Sequence, residues 1–308
     1  MDGRRRWMPA VNAALFVLTI ATTVLAGAGS VPLPQGGLDV RGVVEAGLPF
    51  SAALVGILLA HEMGHYLLAR GWRVSTTLPF FLPVPFGVGT LGAVIRIRSP
   101  IPTRDAEIDI GVAGPIGGLL VAVPLYAWGL AHSEVRAVGE VVSSNGGSPW
   151  ALVTAWMQGL PIAAGSGDVQ LMGESLATWA IGKAVVGSLP AGQDVVLHPV
   201  AFAAWIGLFV TALNLIPLGQ LDGGHAIYGL FGQRRALWIS RTISWGLLLS
   251  GIFLSWNWLV WWALTRFVVK LTHPPALDEA PPRLGRRGLA VAALLLFAAT
   301  FVPVPIQL

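Results

Sequence analysis

The segment that decides the fold is ALVGILLAHEMGHYLLA, residues 53–69, in which three ionisable side chains interrupt an otherwise apolar run. The apolar run extends from about residue 47 to residue 69, which is long enough for a helix that crosses a bilayer. Ionisable groups at membrane depth are costly and usually mark a functional site. The segment therefore predicts a spanning helix that carries chemically active side chains.

The composition of the whole chain also indicates a membrane protein. The chain has 308 residues, of which 55% are hydrophobic and 11% are charged, whereas soluble domains carry roughly 25% charged residues. The net charge of +4 does not indicate nucleic-acid binding, because the basic residues flank apolar runs as they do in membrane proteins. The chain has no cysteine, so a metal site must use His, Asp or Glu.

The apolar runs predict an all-α membrane protein with six or seven transmembrane helices. Six runs are long enough, at residues 9–29, 47–69, 108–131, 198–217, 242–265 and 289–306. Six spans would place loop 266–288 outside the cell. This loop is basic, however, and basic loops usually lie on the cytoplasmic side. Two short helices or a re-entrant hairpin within residues 236–271 would remove the disagreement.

The charges of the loops predict the orientation. Arg4–Arg6 and the basic segment 70–105 place the N-terminus and the opening of the active site in the cytoplasm. The acidic insert 132–197, with apolar stretches near 150–164 and 175–190, is expected on the far side. Arginines greatly outnumber lysines, which favours a bacterial source, so we expect the bacterial cytoplasmic membrane. The whole of residues 1–308 is interpreted as one domain.

The core of this domain, residues 47–131, contains two further features. Residues 73–98 alternate in hydrophobicity and end in the strand-like run Ala93–Arg98, so they predict a small membrane-associated β-hairpin or sheet on the cytoplasmic side. The third span contains Gly114 and Gly118, a G-x-x-x-G pair that favours close helix packing. We expect this helix to pack against the helices that carry the active site.

The motif His61-Glu62-Met63-Gly64-His65 has the spacing of a zinc site. Residues four apart share one face of a helix, so both imidazoles can reach one ion. Glu62 lies beside them and can take a proton from a zinc-bound water. Two histidines and a glutamate without metal are the alternative, but three ionisable residues in an uncharged span require a compensating partner.

A catalytic zinc ion needs a third protein ligand, and Asp222 is the best candidate. Pro217 breaks the fourth span within the segment NLIPLGQLDGGH, residues 214–225, and so brings Asp222 to a similar depth. Asp222 could instead cap the following helix. His225 is an alternative ligand or a neighbour of the ligands, and Asn214 either stabilises an oxyanion or bonds another helix.

These motifs together resemble the site-2 protease family, the intramembrane zinc metalloproteases, in its bacterial and plastid branch. The resemblance covers residues from about 47 to the C-terminal Pro303-Val304-Pro305. It implies one Zn²⁺ per chain, held by His61, His65 and Asp222. It also implies that Glu62 is the catalytic base and that Asn214 assists catalysis.

The expected reaction is hydrolysis of peptide bonds in or near transmembrane segments. The substrate would be a single-span membrane protein or a signal peptide within the lipid bilayer. Its helix would have to unwind to an extended strand before cleavage. Strand addition to the hairpin makes Gly89, Gly92 and Ala93 candidate substrate-binding residues. A polytopic metal transporter and an inactive relative are the alternatives, and the oligomeric state is unknown.

Overall fold

The computed structural model describes residues 3–29, 39–137, 153–154, 157–158, 171–190 and 192–307. The helices are α1 (Gly3–Gly29), α2 (Val40–Gly71), α3 (Arg104–Ala131), α4 (Leu176–Val185), α5 (Pro199–Asn214), α6 (Asp222–Phe253), α7 (Trp256–Phe267) and α8 (Leu284–Thr300). The strands are β1 (Phe80–Pro83), β2 (Thr90–Val94), β3 (Glu134–Ala137), β4 (Leu171–Met172), β5 (Gln193–Val196) and β6 (Ile306–Gln307). The described chain is therefore mostly helical.

The chain forms two compact units that interleave along the sequence. Unit 1 contains residues 1–102, 113–135 and 195–211. Unit 2 contains residues 103–112, 136–194 and 212–308. Helix α3 thus contributes its first turns to unit 2 and its remaining turns to unit 1.

In unit 1, α1 and α2 pack closely along small residues. A Cβ built at Gly27 would lie 2.7 Å from Cβ of Phe50, and a Cβ at Gly47 would collide with the backbone of Val24. A buried hydrogen bond of 2.6 Å joins the hydroxyls of Thr23 and Ser51. Small side chains and hydroxyl pairs are the usual means by which helices associate in a bilayer.

The predicted hairpin is present and packs on α1. Strands β1 and β2 are antiparallel, with Ala93 opposite Phe81, and the Thr22 hydroxyl donates to the Gly89 carbonyl at 2.7 Å. Strand β2 ends at Val94, and within the predicted strand-like run the antiparallel pairing resumes as an isolated bridge between Ile97 and Thr76. Two backbone bonds form this bridge, from Thr77 N to Arg96 O and from Arg98 N to Ser75 O, and Arg96 N donates to the Thr77 hydroxyl.

In unit 2, α6 bends and then forms a helical hairpin with α7. Gly232 has φ 76° and interrupts α6, and Ser255 caps α7 by accepting from Asn257 N. The prediction of one helix over 242–265 is therefore wrong, because the chain breaks at Leu254 and Ser255. The alternative of two helices in this region agrees with the structure.

After the α6–α7 hairpin, the chain returns to the N-terminal part of α6. Gln233 donates to the His273 carbonyl at 2.8 Å, and Ala276 N donates to the Tyr228 hydroxyl at 2.7 Å. Further along, Arg286 pairs with Asp109 at 2.8 Å. The basic segment before and at the start of α8 consequently lies beside the first turns of α3.

Four helices of the described chain are long and apolar enough to cross a membrane. They are Pro9–Gly29, Val40–Gly71, Arg104–Ala131 and Asp222–Phe253. The runs predicted at 198–217 and 289–306 form shorter helices, α5 and α8, of 16 and 17 residues. Of the two apolar stretches in the insert, the second forms α4, and the first lies mostly outside the described residues.

Candidate metal centre

His61 and His65 face one another on one side of α2 in unit 1. Their Nε2 atoms are 3.2 Å apart, and both residues are buried, with exposed fractions of 5% and 7%. Two nitrogens that bind one tetrahedral zinc ion at 2.0–2.1 Å are separated by about 3.3 Å. The pair therefore has the spacing of two ligands of one ion, as its position at i and i+4 predicts.

The glycine-rich face of α3 makes room for these imidazoles. A Cβ at Gly114 would collide with Nε2 of His65, and a Cβ at Gly118 would lie 3.3 Å from Nδ1 of His61. A Cβ at Gly117 would lie 2.6 Å from the Ala60 carbonyl. This confirms the prediction that the G-x-x-x-G helix packs against the motif helix, and larger residues here would displace the rings.

Glu62 lies on the same turn of α2 as His61. Its exposed fraction is 6%, so bulk water does not surround its carboxylate. Its place in the motif and its burial are compatible with the role of general base that the sequence predicts.

Asn214 and Asp222 delimit a non-helical segment of unit 2. Asn214 is the last residue of α5, and Asp222 is the first residue of α6. The segment between them is buried, with Leu215 and Leu218 both at 0% exposure. Gly219 makes the turn possible, because its φ is 55° and a Cβ there would collide with the Lys270 carbonyl.

The structure does not give Asp222 the capping role that was the alternative. The N-cap of α6 is Leu221, which makes no side-chain capping bond, and Asp222 is the first helical residue. Its carboxylate is thus in the first turn of α6.

The three candidate substrate-binding residues lie in or beside β2. Gly89 (φ 84°) packs against α1, because a Cβ there would lie 2.5 Å from the Thr22 carbonyl. Gly92 (φ 101°) has open space where a Cβ would be. Ala93 pairs with Phe81 of β1, and within the described residues β2 has no strand on its other edge.

A second cluster in unit 2 was only partly anticipated. His225, considered above as an alternative ligand, donates from Nδ1 to Glu107 Oε2 at 2.7 Å and lies 3.0 Å from His273 Nε2. Burial, with the neighbouring His225 as the smaller cause, lowers the pKa of His273 to about 3. The sequence analysis missed Glu107 and His273. The signal for Glu107 was an acidic residue at the start of an apolar helix.

Comparison with known protein families identifies the chain. The model of peptidase family M50 matches residues 49–256, which contain both the HEMGH motif and the Asn214–Asp222 segment. The chain belongs to peptidase family M50. The resemblance to the site-2 proteases is confirmed.

Several curated relatives are named as chloroplastic zinc metalloproteases. The probable zinc metalloprotease EGY1, chloroplastic, of Arabidopsis thaliana is 31% identical over 267 residues, covering 85% of this chain and 44% of the relative. The EGY1 protein of Oryza sativa subsp. japonica is 29% identical, covering 84% and 41%. The EGY2 protein of Arabidopsis thaliana is 27% identical, covering 71% and 35%.

The chain spans less than half the length of these relatives. No solved structure matches it. The M50 match and the relatives' names support a zinc metalloprotease of the plastid-type branch.

Proposed function

We propose that this chain is an intramembrane zinc endopeptidase that hydrolyses peptide bonds in or near transmembrane segments of membrane proteins. The observation that carries the proposal is the 3.2 Å separation of two buried imidazole nitrogens on α2, in a helix apolar enough to span a membrane. Without a shared cation or proton, the lone pairs of the two imidazole nitrogens would face each other and repel. A metal ion relieves this repulsion.

His61, His65 and Asp222 are the proposed ligands, and each side chain offers one ligand atom. Two imidazoles and one carboxylate form the ligand set of many catalytic zinc sites, which leaves a fourth position for water or substrate. When bound, zinc supplies Lewis acidity and lowers the pKa of a coordinated water to about 7.

Glu62 is the proposed general base. Its buried position within the motif lets it accept the proton of the attacking water and return it to the leaving amine. Asn214 is proposed to donate its amide N–H to the developing oxyanion, a role that in other hydrolases contributes about 3–4 kcal/mol.

The substrate is proposed to bind as an added strand on β2. A peptide in an intact helix has its carbonyls bonded internally, so it must unwind before hydrolysis, and its backbone then needs new partners. The outer edge of β2 near Gly92 and Ala93 can supply them. Substrates of this kind would be single-span membrane proteins or signal peptides.

The membrane is proposed to be the bacterial cytoplasmic membrane, with the start of α3 and the segment before α8 on the cytoplasmic side. The five arginines and lysines of residues 266–288 support this orientation. The shorter helices α5 and α8 are proposed to lie in the bilayer with the four longer ones, giving six or seven segments at membrane depth.

Replacement of Glu62 by Gln tests the proposal. The purified variant should bind zinc as the wild type does, while cleavage of a single-span test substrate should fall by at least a thousandfold, because only the proton acceptor is lost. Zinc content by mass spectrometry and cleavage by gel assay give the two readouts.

Glu45→Gln is the matched control, since Glu45 lies on the same helix with 64% of its side chain exposed. It should cleave at the wild-type rate. Cleavage that survives in Glu62→Gln would contradict the base assignment. A wild type that binds zinc but cuts no substrate would favour a transporter or an inactive relative.

A further inference from the structure

We propose that Glu107, His225 and His273 form a second site for a divalent transition-metal ion, with zinc as the preferred occupant. The site lies wholly in unit 2 and shares no residue with the HEMGH motif. It goes beyond the peptidase function proposed above and does not depend on it.

The geometry of the three donor atoms fits one ion. His225 Nδ1 lies 2.7 Å from Glu107 Oε2 and 3.0 Å from His273 Nε2, and His273 Nε2 lies 3.6 Å from Glu107 Oε2. Ligands of a tetrahedral zinc ion are about 3.3 Å apart. Two of the three separations are shorter than about 3.3 Å and one is longer. Small rotations of the imidazole rings would therefore bring all three donor atoms within bonding distance of one ion.

The cluster has one hydrogen-bond donor fewer than its buried acceptor atoms need. Nδ1 of His273 lies 2.7 Å from the Pro274 carbonyl, and because a carbonyl only accepts, Nδ1 carries the proton and Nε2 presents a lone pair. The Glu107 carboxylate also only accepts. His225 Nδ1 has one proton at most for these two acceptors, whereas a cation satisfies all three atoms together.

The burial of the acceptors makes this shortage costly. Side-chain exposure is 2% for Glu107 and 4% for His273, so water does not compensate them fully. The available hydrogen bonds are too few to stabilise this buried carboxylate, and a bound cation would stabilise it together with both imidazoles.

The surrounding residues hold the cluster in place before any ion arrives. The Tyr228 ring stacks on the His273 ring with centroids 4.5 Å apart and planes at 11°, and the Gln233 amide donates to the His273 carbonyl. A Cβ at Gly111 would collide with Cβ of His225, so glycine there permits the approach of α6. Such second-layer contacts orient metal-binding histidines.

The donor set selects the class of metal. Two imidazoles and one carboxylate suit zinc and the neighbouring transition metals, while calcium and magnesium prefer all-oxygen sites. The cluster uses two of the six histidines of the chain, and these two lie 48 residues apart, so helical spacing alone does not explain their meeting.

Metal counting in a variant that lacks the first site tests the inference. In His61→Gln/His65→Gln, the full chain in detergent should still bind one equivalent of Co²⁺, measured by mass spectrometry and by the visible absorption of the bound ion. The wild type should bind two. Adding His273→Gln should remove the remaining equivalent, and adding Glu107→Gln instead should weaken it at least tenfold.

His132→Gln in the same background is the matched control. His132 is exposed and stacks on Trp128 instead of joining either cluster, so its removal should leave one equivalent bound. Circular dichroism checks that each variant remains helical. Absence of bound metal in folded His61→Gln/His65→Gln, or an equivalent that persists with His273→Gln, would overturn the second site.

The outcome separates the two proposals. Failure of the second site leaves one equivalent in the wild type and none in His61→Gln/His65→Gln. Failure of the first site leaves the metal content unchanged when His61 and His65 are replaced.

Discussion

The backbone of Gly114 on α3 lies directly against the His65 ring on α2, with no room between them for a methyl group. This contact fixes where the ring can turn, since the imidazole must keep Nε2 within 3.2 Å of the His61 nitrogen. The position of the proposed zinc ligand His65 is therefore set by a glycine on a neighbouring helix.

Gly114→Ala should consequently weaken metal binding. The added methyl group must displace the His65 ring, and overpacking of this kind costs about 1–3 kcal/mol. We expect zinc affinity, measured by competition with a chelator, to fall by about tenfold to a hundredfold. Gly56→Ala is the control, because Gly56 lies on α2 with open space at the Cβ position. Equal affinities in the two variants would refute this role of Gly114.

The outer edge of β2 should contact the substrate. Leu91 is 69% exposed on this strand, so a photo-crosslinking residue at position 91 should capture a single-span substrate in the inactive Glu62→Gln background. A crosslinker at Leu249, which is 53% exposed on α6, should capture little. Equal crosslinking yields at the two positions would argue against strand addition.

The two ends of α8 should lie on opposite sides of the membrane. The segment that contains Leu277 precedes α8 beside α3, and the loop before α4 bonds to the chain after α8, with Gly173 N donating to Pro305 O. Seventeen helical residues span about 25 Å, which approaches the thickness of the hydrocarbon core.

Single-cysteine labelling can measure this arrangement, because the chain has no cysteine of its own. In intact bacterial cells an impermeant maleimide should label Leu176→Cys and not Leu277→Cys, both of which are exposed positions. After permeabilisation both should react. Labelling of both positions before permeabilisation would contradict the proposed topology.

The pairing of Arg286 with Asp109 should stabilise unit 2 modestly. Two guanidinium nitrogens donate to one carboxylate oxygen at 3.1 and 2.9 Å, but 45% of the Arg286 side chain is exposed. A double-mutant cycle with Arg286→Gln and Asp109→Asn should give a coupling of about 1 kcal/mol in thermal unfolding. The more exposed pair of Arg283 and Asp105 should give less, and a larger value there would contradict this ranking.

The sequence was most informative where chemistry is local. Helical spacing alone placed His61 and His65 on one face, and Gly114 and Gly118 predicted the packing of α3 on α2. The first was confirmed because residues within two turns of one helix have nearly fixed relative positions, and the second because small residues allow close approach of two helices.

Long-range contacts were not predictable in the same way. The cluster of His225, Glu107 and His273 depends on how α6 bends and how the chain returns after α7. The hydrophobic periodicity of the sequence contains no information about either feature. Likewise, the break at Leu254 and Ser255 lies inside a continuous apolar run, where hydropathy cannot distinguish one helix from two.

The most direct test of the central claim is zinc X-ray absorption on the His273→Gln variant, in which only the first site should retain metal. We predict two imidazole nitrogens and one carboxylate oxygen at about 2.0–2.1 Å, together with a lower zinc affinity when Asp222→Asn is added. A zinc spectrum without imidazole scattering, or one unchanged after replacement of His61 and His65, would contradict the account.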